Sequence, residues 1–150
     1  MPHILIHSLV FSPDGVSTAY LYNDIALKFK ESGYKVTVIT STPHYNIIDE
    51  EINKQPLKKR FYGLFFESNF QGICVKHIPQ KKFSNKILRI IAFIYFHIFG
   101  FFLLTFEKKI DIILSPSPPL TIGILNIVIG KIKKVKIIYN VQEIYPDLLD

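Results

Sequence analysis

The side chains able to bind or turn over a ligand lie in four short stretches of the 150-residue chain. Asp14-Gly15-Val16-Ser17 offers a carboxylate, a glycine free to take positive φ and a hydroxyl placed to cap a helix. His44 and Tyr45 bring an imidazole and a phenol. Ser115 and Ser117 sit in the abrupt turn Ser115-Pro-Ser-Pro-Pro119. Gln142 and Glu143 follow Asn140, and Pro146 closes that stretch because it lacks an N–H. Each stretch follows an apolar, β-branched run that reads as a strand. In open α/β sheets ligands bind beyond the carboxyl ends of the strands, so the four stretches predict one shared site.

Several chemistries are missing. Gly15 stands alone, so there is no G-x-G-x-x-G fingerprint, and Gly130-Lys131 is followed by Ile132, which is no phosphate loop. The histidines at 3, 7, 44, 77 and 97 are scattered and no D-x-D occurs, which argues against a metal. No G-x-S-x-G nucleophile turn is present. A single cysteine, Cys74, excludes an internal disulfide and suits a reducing compartment.

The elements that must position these groups alternate. A strand over His3–Val10 leads through the Gly15 turn to a helix over Thr18–Ser32, with Gly33 as its terminating glycine and a strand over Tyr34–Thr40. This unit opens a doubly wound α/β fold. Residues 41–71 give no clear periodicity. A third strand is expected over Gly72–Pro79, then a helix capped by Ser84, a fourth strand over Asp111–Ser115, a helix over Leu120–Ile132, and a central strand from Val135, buried on both faces. Met1-Pro-His-Ile-Leu-Ile-His opens directly into a strand, without the pattern of a signal peptide.

The net charge of +6 is uneven: residues 1–53 are acidic, 54–109 strongly basic and 110–150 neutral. Nucleic acid is not the expected partner, because the basic residues flank an apolar segment rather than line a polar face. Of the twenty residues Ile87–Phe106, sixteen are apolar, enough by length and hydropathy for a membrane span. A span would separate the flanking strands across a bilayer, and Lys86, Arg89, His97 and Gly100 form a polar stripe. The expectation is a helix with one face on the sheet and another in an anionic membrane surface, with Lys82, Lys86, Arg89, Phe93 and Phe101 as contacts. A wholly buried crossover helix is the alternative.

Four segments together carry a family resemblance: Phe11-Ser-Pro-Asp-Gly-Val-Ser17, Lys35-Val-Thr-Val-Ile-Thr-Ser-Thr-Pro-His-Tyr45, Asp111-Ile-Ile-Leu-Ser-Pro-Ser-Pro-Pro119 and Tyr139-Asn-Val-Gln-Glu-Ile-Tyr-Pro146. In this order the chain resembles the N-terminal domain of GT-B glycosyltransferases of the family 4 type, especially bacterial enzymes building capsule, O-antigen or colanic-acid polysaccharides. The resemblance implies a Rossmann-like doubly wound parallel sheet, the N-terminal half of a GT-B fold. It implies an acceptor-binding domain in a retaining, metal-independent transfer from a nucleotide-sugar donor to a lipid-linked acceptor of the undecaprenyl-diphosphate type, or to a polysaccharide. The enzyme would lie in the cytoplasm against the inner face of the membrane, with no cofactor. Asp14, Gly15, Val16, Ser17, His44, Tyr45, Ser115, Ser117, Gln142 and Glu143 would line the acceptor cleft, Gly15 letting backbone N–H groups approach a phosphate or sugar.

Two departures stand out. The first turn keeps one glycine where many relatives have more, and serines occupy the region where some relatives place a histidine. The donor-binding half is not among these residues, so the chain reads as truncated and inactive alone. Two rivals stand beside this reading: a non-catalytic membrane-docking subunit that pairs with a donor-binding chain, and a small Rossmann-like binding protein.

Overall fold

The computed structural model describes residues 1–117 and 119–142. Seven strands form one sheet in the order β3-β4-β5-β2-β1-β6-β7. Strands β1 (His3–His7), β2 (Lys35–Ser41), β5 (Ile73–Ile78), β6 (Ile112–Ser117) and β7 (Lys136–Val141) are mutually parallel. Strands β3 (Lys58–Arg60) and β4 (Phe65–Phe70) extend β5 in antiparallel fashion. That extension fills the stretch the sequence left unread, together with a short helix α2 (Asp49–Lys54). Its strands are short and its outermost, Lys-Lys-Arg, is fully exposed, so period-two patterning had little to mark.

The two faces of the sheet bury different helices. Helix α1 (Ser17–Glu31) presents Tyr22 and Ala26 to Ile4, Ile6, Val36, Val38 and Leu114. It ends as expected at Gly33, φ +85°, where Gly33 N donates to Lys30 O and Tyr34 N to Phe29 O. The expected serine cap at its start is absent: Val16 is the N-cap, and Ser17 is exposed in the first turn without a capping bond. The opposite face carries α3 (Lys86–Phe106) and α4 (Leu120–Lys133) over Leu5, Ile39, Ile78 and Ile113. Asn85, not Ser84, caps α3, its Oδ1 accepting from Ile87 N at 2.8 Å. Lys133 closes the other end, its Nζ donating to Thr105 O at 2.8 Å and Glu107 O at 2.7 Å.

Two expectations need correction. The strand from Val135 is not central: among the described residues β7 ends the sheet, and Ile138 and Val141 are about half exposed. The polar stripe of α3 is wet only at its start, at Lys86 and Arg89. Gly100 is buried, and a Cβ there would lie 3.1 Å from His7 Nε2, while His97 Nε2 meets Thr121 Oγ1 of α4 at 2.9 Å. The side of α3 turned away from the sheet is apolar, through Ile87, Ile90, Ile94, Ile98, Phe102 and Phe106. Phe101 packs on the core instead, because it faces inward one position before Phe102.

Candidate functional site

The strand order reverses at β1, whose neighbours β2 and β6 continue in opposite directions. A crevice is expected beyond the carboxyl ends of the strands at such a point. The loop after β1 is held there by Asp14. Its buried carboxylate accepts from Tyr45 N and Asn46 N on Oδ1, both at 3.1 Å, and from His44 N on Oδ2 at 3.4 Å. Gly15 N donates to Asn46 O at 2.9 Å, and Asn46 Nδ2 returns a bond to Gly15 O at 2.8 Å. The first two predicted stretches therefore meet, but as mutual supports. Asp14 is spent on backbone N–H groups and the Gly15 N–H is not open to a ligand. Nor does Gly15 use positive φ; it is there because a Cβ would lie 2.7 Å from Ile48 Cδ1.

What remains open lies above this clasp. One pocket of about 240 Å³ is lined by Ser8, Leu9, Val10, Val16, Thr18 and Tyr45, beside the uncapped start of α1, whose dipole favours an anion. A second, of about 230 Å³, shares Leu9 and Tyr45 and adds His44, Lys81, Lys82, Arg89 and Phe93. Lys82, Arg89 and Phe93, expected at a membrane, thus line the cleft with His44; Lys86 is exposed at the start of α3.

His44 has a defined tautomer. Its Nδ1 lies 2.8 Å from Thr42 O, a pure acceptor, and so carries the proton. In the neutral ring the lone pair is therefore on Nε2. The imidazole lies against the Tyr45 ring, centroids 4.3 Å apart and planes tilted by 40°, and burial raises the Tyr45 phenol above its ordinary range, with the nearby Asp14 charge adding to it. A neutral imidazole nitrogen of this kind can accept a hydrogen bond from a sugar hydroxyl.

The other predicted residues go elsewhere. Ser115 and Ser117 are strand residues of β6, not turn formers, because the strand runs on through Pro116. Both are fully buried with no partner for Oγ among the described residues, as is the Tyr139 hydroxyl on the strand paired at the Ser115↔Tyr139 register position. Gln142 is exposed just past β7, and Glu143 lies outside the described residues. Among the described residues no group of three His, Cys, Asp or Glu side chains could hold a metal ion.

A buried polar chain beneath the cleft has no motif. Ser12 Oγ donates to Gln55 Oε1 at 2.7 Å, Gln55 Nε2 to Ser68 Oγ at 2.7 Å, and Ser68 Oγ to His77 Nε2 at 2.7 Å; His77 Nδ1 donates to Ser41 O at 3.1 Å. Asn23 Oδ1 of α1 accepts from Ser12 N at 3.0 Å. Burial pushes the His77 imidazole down to about 4, outweighing its bond to Ser41. The one available signal was a histidine in step with the inward Ile73 and Val75 of its strand.

No family model matches the chain, and no curated protein matches it in sequence. Its fold is similar to the catalytic domain of starch synthase IV from Arabidopsis thaliana, in a structure bound to ADP and acarbose, with a TM-score of 0.61 at 14% identity. The likeness covers 93% of this chain and 33% of that one, so the chain spans about a third of the length of the structure it matches. At that identity the likeness is one of fold, and it defines the fold class: a Rossmann-like α/β half-domain of the GT-B type.

Proposed function

We propose that these residues form the acceptor-side domain of a retaining, metal-independent glycosyltransferase of the family 4 type, working in bacterial polysaccharide biosynthesis. The observation that carries the reading is the cleft at the carboxyl edge of a GT-B-like half-domain, where His44, Tyr45 and three cations converge. In the transfer, the bond from the sugar's anomeric carbon to the nucleoside diphosphate breaks and a bond from that carbon to the acceptor oxygen forms. The acceptor proton passes to the departing diphosphate. His44 Nε2 accepts from a neighbouring hydroxyl of the acceptor and so orients the attacking one; Lys81, Lys82 and Arg89 hold phosphate. The donor is bound mainly by a second domain or chain, and no cofactor takes part. The acceptor is lipid-linked or a polysaccharide.

The outer face of α3, with that of α4 beside it (Leu120, Ile124, Val128, Ile132), favours a location on the cytoplasmic face of the membrane. The same face supports the second reading, a docking subunit that recruits a donor-binding chain. The test is transfer of radiolabelled sugar from a panel of nucleotide sugars by membranes carrying the native gene product, set against membranes lacking the gene. Loss of one transfer activity is expected. Unchanged transfer from every donor overturns the enzymatic reading, and recovery of the chain in a stoichiometric complex with a transferase would then support the docking subunit.

A further inference from the structure

We propose that the recess between the first half of α3 and the β4–β5 hairpin holds the apolar chain of a single lipid, whose phosphate or diphosphate sits on Lys81, Lys82 and Arg89. The recess measures about 510 Å³, within the range of small-molecule sites, and Phe66, Pro79, Phe83, Leu88, Ile91 and Tyr95 make its walls. It opens into the basic cleft: Gln80, Lys81, Phe83 and Ala92 line both.

The dividing wall is fixed. Gln80 N donates to Thr42 Oγ1 and that hydroxyl returns to Gln80 O, both at 2.9 Å, while Gln80 Nε2 donates to Ala92 O at 2.6 Å. Those Gln80 groups are thereby committed to protein bonds, and the wall facing the recess stays apolar. On the other side, the ion pairs among the described residues are Lys28–Glu31, Lys54–Glu51, Arg60–Glu67 and Lys76–Glu107. Lys81, Lys82 and Arg89 belong to none of them. Cations without an acidic partner among the described residues, joined to an apolar recess, complement one kind of molecule, an amphiphile with an anionic head. A recess flanked by a helix and a hairpin takes one chain out of its surroundings; the flat outer stripe of α3, through Ile90, Ile94 and Ile98, is a separate surface.

The site deepens the transferase reading, on which it rests only for the lipid's role as acceptor; the binding does not depend on that reading. The test is calorimetric titration of the 150-residue chain with farnesyl diphosphate below its micelle concentration, beside farnesol and inorganic diphosphate. Farnesyl diphosphate is expected to bind at least about tenfold more tightly than either fragment. Ile91→Gln, at an exposed wall position, should weaken it about fivefold or more with an unchanged melting temperature. Lys81→Glu with Lys82→Glu should weaken it at least as much and flatten its salt dependence. Inorganic diphosphate or farnesol binding as tightly as the whole, or Ile91→Gln without effect, overturns the site. Gene-dependent sugar transfer without farnesyl diphosphate binding leaves the transferase standing and removes the lipid site; binding without transfer does the reverse.

Discussion

Asp14 shows how a residue with catalytic credentials can be consumed by architecture. Three backbone N–H groups converge on its carboxylate. Asp14→Ala strands them, at about 1–3 kcal/mol for the cluster, and should loosen His44 and Tyr45; urea unfolding measures the first and ligand affinity the second. Gly15→Ala should cost about 1–3 kcal/mol through its contact with Ile48, readable in the same experiment. His7 and His77 predict a pH dependence. Burial lowers both from 6.5 to about 4. Above pH 6.5 both rings are neutral whether the chain is folded or not. As pH falls from 6.5 to 4 the unfolded chain takes up protons that the folded chain refuses, so stability is complete above that window and declines within it, by up to about 3 kcal/mol per ring. Urea midpoints at pH 7 and 4.5 check this, and His77→Gln should shrink the difference. At this scale the structure places His44 and Tyr45 at the edge of a pocket, while the groups around them serve ends that the sequence did not show. Gly15, Ser17, Ser115 and Ser117 were interpreted by type, whereas their roles follow from distant neighbours such as Ile48 and Tyr139 that no local spacing encodes.

Elements were more legible than residues. The apolar runs at His3, Lys35, Ile73 and Ile112 became strands, and Gly33 ended α1 where expected, because burial on both faces and left-handed backbone both restrict residue type strongly. The rank of β7 within the sheet was lost, since a β-branched run reads alike at a centre and an edge. Helix α4 explains itself only in contact: Gly123 and Gly130 admit Tyr139 and Ile137, and Asn126 Oδ1 meets His7 Nδ1 at 2.8 Å. Gly123→Val would drive its Cβ to 2.4 Å from Tyr139 Cε2. A loss of about 2–3 kcal/mol in urea unfolding is expected, exceeding the helix propensity gained.

For the whole molecule, the uneven charge and the apolar run pointed to an anionic, lipid-bearing partner, and the fold places the two features on α3 and its approach. Helix α3 is long and apolar enough to cross a bilayer, yet Phe96, Gly100 and Leu104 are seated on the sheet. Its outer stripe predicts peripheral docking: the chain should sediment with anionic vesicles, less so at high salt, and Ile90→Asp with Ile94→Asp should reduce sedimentation by about tenfold without altering stability. Unchanged sedimentation would put that face against protein instead. The buried chain from Ser12 to His77 has its own consequence. Its links run from Ser12 through Gln55, Ser68 and His77 to Ser41 O of β2, and Gln55 Nε2 also reaches back to Ser12 O at 3.2 Å, which ties Gln55 to Ser12 at two points. The His77 ring is therefore a listening post for the first loop: nitrogen resonances of an imidazole two strands away from β1 would register a ligand settling near Ser12, and would date its arrival against events in the cleft.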